Sequence, residues 1–226
     1  MSEETLCVSG VAKIYESKAA QVIAVRDASF ACRASTVTAI MGPSGSGKTT
    51  ILSILGLLLK PSRGRVTVMG IEVSALDERQ LPALRRSHIG FIFQSFNLFS
   101  SLTVLENVLL SLQLKKVPAK DAPDLAKAAL ERVELVKRSG FYPRDLSGGE
   151  KQRVSIARAI TADTPIILAD EPTANLDSKT GFKIIDLLHE LADEQQKTVV
   201  VVSHDLRIQE HVSRVLMMED GVIHEN

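Results

Sequence analysis

The octapeptide GPSGSGKT, Gly42–Thr49, constrains this chain more than any other feature, because of where it stands. It is preceded by the apolar run TVTAIMG (36–42) and followed by the leucine-rich ILSILGLLL (51–59). The first run has the length of a buried strand and the second the length and spacing of a buried helix, so the G-x-x-x-x-G-K-[ST] spacing falls on a strand-loop-helix unit, where a phosphate loop belongs. Gly42, Gly45 and Gly47 let backbone N–H groups turn toward a polyphosphate, and the helix N-terminus adds its positive end. Lys48 is expected to reach the β- and γ-phosphates and Thr49 to offer its hydroxyl to Mg²⁺. Pro43, Ser44, Ser46 and Thr50 complete the candidate nucleotide-binding set. An ordinary glycine-rich turn is the alternative, and the flanking strand and helix argue against it.

The rest of the chain fits one α/β domain with an inserted helical part. TLCVSGVAKIY and VIAVRDASFACRA are rich in β-branched residues and broken by polar turns, which predicts an antiparallel sheet near the N-terminus. RVTVMG, IGFIF (89–93), PIILAD (165–170) and TVVVVS (198–203) are apolar throughout, as parallel strands covered on both faces should be. Between IGFIF and PIILAD the pattern turns helical: Thr103 and Glu106 form a T-x-x-E capping box before VLLSLQL, and LAKAALERVELV carries the helical period. Residues 1–94 and 161–226 are therefore expected to form the nucleotide-binding core with its β subdomain, and residues 95–160 a helical subdomain.

Charge and cysteine content narrow the partners. Lysine plus arginine equal aspartate plus glutamate at 27 each, so no global field recommends nucleic acid. Cys7 and Cys32 stand far apart, outside any metal-ligand spacing, which fits two core thiols in a reducing compartment. MSEETLCVSG has no basic stretch followed by an apolar one, and Ile51–Leu59 falls far short of the ~20 residues that cross a bilayer. A cytoplasmic protein is expected, with any membrane-spanning helices on another chain.

Two further motifs carry chemistry. IILADE (166–171) is a buried strand ending in two carboxylates, at the sheet end where open α/β folds hold ligands. Asp170 is suited to hold Mg²⁺ through water and Glu171 to orient and deprotonate an attacking water; a surface turn is the plainer reading. LSGGE (146–150) opens a helix with the S-x-x-E capping box of Ser147 and Glu150. Two glycines behind the capping serine also let an anion approach the helix N-terminus, giving a second candidate phosphate site.

Together GPSGSGKT, IILADE and LSGGE resemble the nucleotide-binding subunits of ABC transporters, along nearly the whole chain. The resemblance implies a P-loop NTPase (RecA-like) core with an N-terminal antiparallel β subdomain and an inserted α-helical subdomain, binding ATP and Mg²⁺ and hydrolysing ATP. It also implies an ATP-sandwich dimer, in which Ser147, Gly148, Gly149, Glu150 and Asp177 of one copy close the ATP site of the other. Tyr15 matches the aromatic that stacks on adenine, although a core or edge tyrosine fits as well. Gln94 matches the glutamine that senses Mg²⁺ and the attacking water, and His204 the histidine at the γ-phosphate. Asn175-Leu176-Asp177 resembles the loop that crosses the dimer interface; Asp177 also suits a helix N-cap.

LRRSHIGFIFQSFNLF, SLTVLENV and EPTANLDSKTG, with glutamate closing the signature, look most like the macrolide-export and lipoprotein-release ATPases. That branch implies a permease with few membrane helices and a large extracytoplasmic domain, docked on the helical subdomain at the cytoplasmic face of a bacterial inner membrane. A cell-division-type ABC complex and a polar amino-acid importer are the alternatives. Importers share QSFNLF and LTVLENV but more often end the signature in Gln.

Overall fold

The computed structural model describes residues 4–16, 21–174 and 176–225; Asn175, assigned above to the interface loop, lies outside them. Two long strands open the chain, β1 (Glu4–Glu16) and β2 (Gln21–Arg33), paired antiparallel. Next come β3 (Thr36–Met41), the phosphate-loop helix α1 (Lys48–Leu55), β4 (Arg63–Val68), the short β5 (Ile71–Glu72), α2 (Leu81–His88) and β6 (Ile89–Ile92). Three helices follow, α3 (Val104–Leu114), α4 (Ala122–Arg132) and α5 (Gly148–Thr161). The chain closes with β7 (Ile166–Asp170), α6 (Ser178–Glu194), β8 (Thr198–Ser203), β9 (Arg214–Glu219) and β10 (Val222–Glu225).

The ten strands form one sheet in the order β5-β4-β1-β2-β10-β9-β3-β8-β7-β6. From β9 to β6 the neighbours run parallel, and β5-β4-β1-β2 form the antiparallel end. The central strands explain their unbroken apolar sequences. Along β8, Val199 and Val201 join the apolar cluster under α6, while Val200 and Val202 join the one under α1. Period-2 alternation thus buries both faces, as a parallel sheet between helices requires.

Two local expectations are corrected. RVTVMG was expected among the parallel strands, but β4 pairs antiparallel with β1 and its first three residues are exposed. The helical run LAKAALERVELV stops at Arg132, and Val136–Arg138 form a separate short turn. The capping boxes are present as read: Thr103 Oγ1 accepts from the Glu106 N–H, and Ser147 Oγ from the Glu150 N–H. The helices α3, α4 and α5 share one apolar cluster with the α6 face of the sheet, from Val104 and Leu130 to Val37 and Ile167.

Candidate nucleotide site

The cleft at the carboxyl ends of the parallel strands has a volume of about 340 Å³ and is lined by Ala24, Ser44, Gly45, Gly47, Lys48, Thr49, Thr50, Gln94, Glu171 and His204. Residues from β2, the phosphate loop, the turn after β6, the end of β7 and the end of β8 meet there. The sheet end was the place the sequence pointed to, and the topology supplies the reason: β3, β7 and β8 lie side by side and parallel, so their C-terminal ends converge.

The loop is held in a shape that requires glycine. Gly47 has φ 106° and sits against β2, where a Cβ would lie 2.2 Å from the Ala24 carbonyl oxygen. Gly45 has φ 83°. Lys48 Nζ donates to the carbonyls of Gly42 (2.8 Å) and Pro43 (2.9 Å), so its ammonium lies inside the arc of the loop. Burial lowers its pKa, partly offset by the carboxylates of Glu171 and Asp170. Ser46 is 4% exposed and its Oγ has no hydrogen-bond partner among the described residues. A buried cation, an orphaned hydroxyl and a glycine cradle that a side chain would fill are the features of a polyphosphate site.

On the facing side, Thr49 Oγ1 donates to Asp170 Oδ1 at 3.3 Å. Burial raises the Asp170 pKa, with the Thr49 hydrogen bond acting against it. A half-buried carboxylate beside a hydroxyl, both next to the phosphate loop, is an all-oxygen donor set suited to Mg²⁺. Glu171 begins a turn with left-handed backbone (φ 45°), pinned by its N–H to the Val202 carbonyl at 2.9 Å. Its carboxylate accepts from Ser203 Oγ at 3.2 Å and meets His204 Nδ1 at 2.8 Å. A non-glycine residue held in that conformation is strained, and here the strain aims a carboxylate into the cleft.

Ser147, Gly148, Gly149 and Glu150 are not among the residues that line this cleft, nor are Tyr15 and Asp177. Tyr15 is exposed on β1 with the Lys13 ammonium 5.4 Å from its ring centroid. Asp177 caps α6, accepting from the Thr180 N–H at 3.0 Å. The signature packs beside that cap, with a Cβ on Gly149 placed 3.0 Å from the Thr180 methyl. Sequence reasoning missed Ser203 and Ala24: a serine ending a strand and an alanine within one carry no local signal, and only the fold brings them to the cleft.

Comparison with known proteins shows the family. The family model described as ABC transporter matches residues 25–174. MJ0796 of Methanocaldococcus jannaschii, described as an uncharacterized ABC transporter ATP-binding protein, is 44% identical over 96% of this chain and 94% of its own length. Its dimeric structure in a post-hydrolysis state bound to ADP and Pi matches with a TM-score of 0.90 at 40% identity, covering 97% of this chain and 98% of that one. The lipoprotein-releasing system ATP-binding protein LolD of Hydrogenovibrio crunogenus is 40% identical over 98% of this chain and 96% of LolD. The macrolide export ATP-binding/permease protein MacB of Rhodopseudomonas palustris is also 40% identical, over 99% of this chain but 34% of that longer protein. With the family's fold, its phosphate loop and relatives at this identity along nearly the whole chain, the protein belongs to the ABC transporter family as an ATP-binding, ATP-hydrolysing subunit.

Proposed function

We propose that this subunit powers a transporter of the export or extraction branch, as a pair of cassettes that close on two ATP molecules beneath a membrane permease. The observation that carries the hydrolytic part is the Glu171 carboxylate, fixed by Ser203 and His204 beside the phosphate loop. In this reading Gly42–Thr50 wrap the triphosphate, Lys48 leaves its loop carbonyls for the β- and γ-phosphates, and Tyr15 stacks on adenine. Thr49, Gln94 and Asp170 would hold Mg²⁺, which would supply charge neutralisation on the phosphate oxygens. Glu171 orients a water on the γ-phosphorus and takes its proton as the new P–O bond forms and the bond to ADP breaks. His204 steadies the carboxylate and faces the γ-phosphate. Phosphoryl transfer depends on such positioning and charge stabilisation more than on covalent chemistry.

The signature supports the paired arrangement, because Ser147–Glu150 form a phosphate-type helix end outside their own chain's cleft and so need a second copy to use it. Residues 95–160 serve as the signature subdomain and residues 1–94 and 161–226 as the core. Between them runs a groove of about 400 Å³ with Phe91, Phe93, Leu58 and Leu114 on its surface and Arg85, Arg86, Lys115 and Arg158 around it. Phe91 and Phe93 stack at 4.5 Å, and Phe93 adjoins Gln94. A permease segment seated there would touch the turn that reaches the nucleotide. Among the described residues no helix is long and apolar enough to cross a membrane, so the subunit would sit at the cytoplasmic face of a bacterial inner membrane through that permease.

The test is affinity purification of Glu171→Gln with Mg-ATP from detergent-solubilised membranes, with mass spectrometry of the chains that come with it. A permease with few membrane helices and a large extracytoplasmic domain is expected. A many-helix importer permease or a cell-division partner would move the subunit to another branch, and recovery of ribosomal or DNA-bound proteins alone would refute the transporter assignment.

A further inference from the structure

Glu150 presents an electrostatic difficulty in the signature. Its Oε2 accepts from the Ser147 backbone N–H and from the Ser147 hydroxyl, each at 2.9 Å. Those hydrogen bonds, the backbone one foremost, hold its carboxyl below the usual range, so it is ionised at neutral pH. A carboxylate stabilises the start of its own helix but repels any second anion brought to the same N–H groups. The Ser147 hydroxyl has a single proton, and it is spent on Glu150 rather than free for a phosphate oxygen.

Arg138 answers the repulsion. Its Nε donates to the other carboxylate oxygen, Glu150 Oε1, at 3.1 Å. Its guanidinium lies 4.7 Å from the centroid of the Phe141 ring, which limits where it can point. The turn that carries it is anchored, since the first N–H groups of α3 donate to it: Val104 to the Phe141 carbonyl at 2.8 Å and Leu105 to that of Ser139 at 3.0 Å. The cation, though solvent-exposed, is thus held beside the acid at the helix end.

We propose that Arg138 is a positioning residue for the ATPase reaction: by pairing with Glu150 it offsets the carboxylate's charge, so that the γ-phosphate of a second copy's ATP can approach the helix end at Ser147. This rests on the reading that the signature faces a partner's nucleotide. Arg138 touches no substrate itself.

The experiment measures the ATP concentration for half-maximal dimer formation, by light scattering in the Glu171→Gln background, where hydrolysis does not deplete the complex. Four further changes are compared in it: Arg138→Gln, Glu150→Gln, both together, and Ser147→Arg. Arg138→Gln is expected to raise that concentration about 3- to 30-fold, the range for an unpaired charge at a helix N-terminus. In the Glu150→Gln background the same change should matter less than about twofold, because no charge remains to cancel. A merely structural Arg138 would lower the melting temperature and impair both backgrounds alike. No effect of Arg138→Gln, or an equal effect with and without the acid, overturns the inference while Ser147→Arg still abolishes the dimer. Parental dimerisation of Ser147→Arg overturns the partner-facing reading and the inference with it.

Discussion

Gly47→Ala offers a sharp test of how the phosphate loop is built. The loop presses so closely on β2 and β9 that an added Cβ would lie 2.2 Å from the Ala24 carbonyl oxygen and 2.8 Å from the Met218 methyl. The methyl can move, but the carbonyl belongs to a paired strand, so the loop must shift by about 0.8 Å to reach the 3.0 Å that real Cβ atoms keep. The left-handed backbone adds strain of about 1–2 kcal/mol. A shift of that size removes one or two N–H bonds to phosphate, each worth roughly 1.5–3 kcal/mol when the acceptor is charged. The low end of that sum, roughly 3 kcal/mol, corresponds to a loss of at least about 10²-fold in affinity. At Gly45 a Cβ meets nothing within 4 Å, so Gly45→Ala should suffer the backbone strain alone and lose about tenfold. Titration with a fluorescent ATP analogue reads both variants, with melting curves to confirm folding. Gly47→Ala binding within threefold of the parent, or equal losses at both positions, would refute the argument from close approach.

Other expectations follow from single residues. Ser147→Ala removes the N-cap of α5 and should cost about 1 kcal/mol, seen as a melting temperature roughly 2–4 °C lower for a chain of this size. Should melting stay unchanged, the capping box contributes nothing to stability. Burial pushes the Cys32 thiol up to about 11, against 9.0 ordinarily. The folded thiol keeps its proton where the unfolded one loses it, so stability should fall as pH rises from about 9 to 11, by about 2 kcal/mol at the upper end, and be untouched below about 8. Denaturant midpoints of the protein and Cys32→Ala across that range would measure it, and parallel pH profiles would contradict it.

Local signals were legible in the sequence and long-range ones were not. GPSGSGKT announces itself because strand, loop and helix are contiguous, and the boxes of Thr103 and Ser147 because a cap needs only four residues. RVTVMG misled because a short apolar run does not reveal the direction of its neighbour; β4 owes its antiparallel setting to β1, more than fifty residues earlier in the chain. The β9–β10 hairpin went unread although its turn carries the Asp-Gly pair that primed turns favour; Asp220 and Gly221 both have positive φ, 46° and 80°. In the site, the carboxylates at the end of IILADE were visible as a motif. Their partners were not: Ser203 and His204 reach Glu171 because β7 and β8 are adjacent, a fact of topology rather than spacing. His204 was named only through the family resemblance, and Ser203 was not named at all.

The central claim is that the Glu171 carboxylate, held by Ser203 and His204, drives hydrolysis in a cleft that binds ATP without it. Steady-state ATPase turnover and equilibrium ATP affinity of Glu171→Gln, measured beside the parent, test that most directly. Turnover should drop about 10²- to 10⁴-fold, the range for loss of a general base, while affinity stays within about threefold. Turnover close to that of the parent would contradict the account.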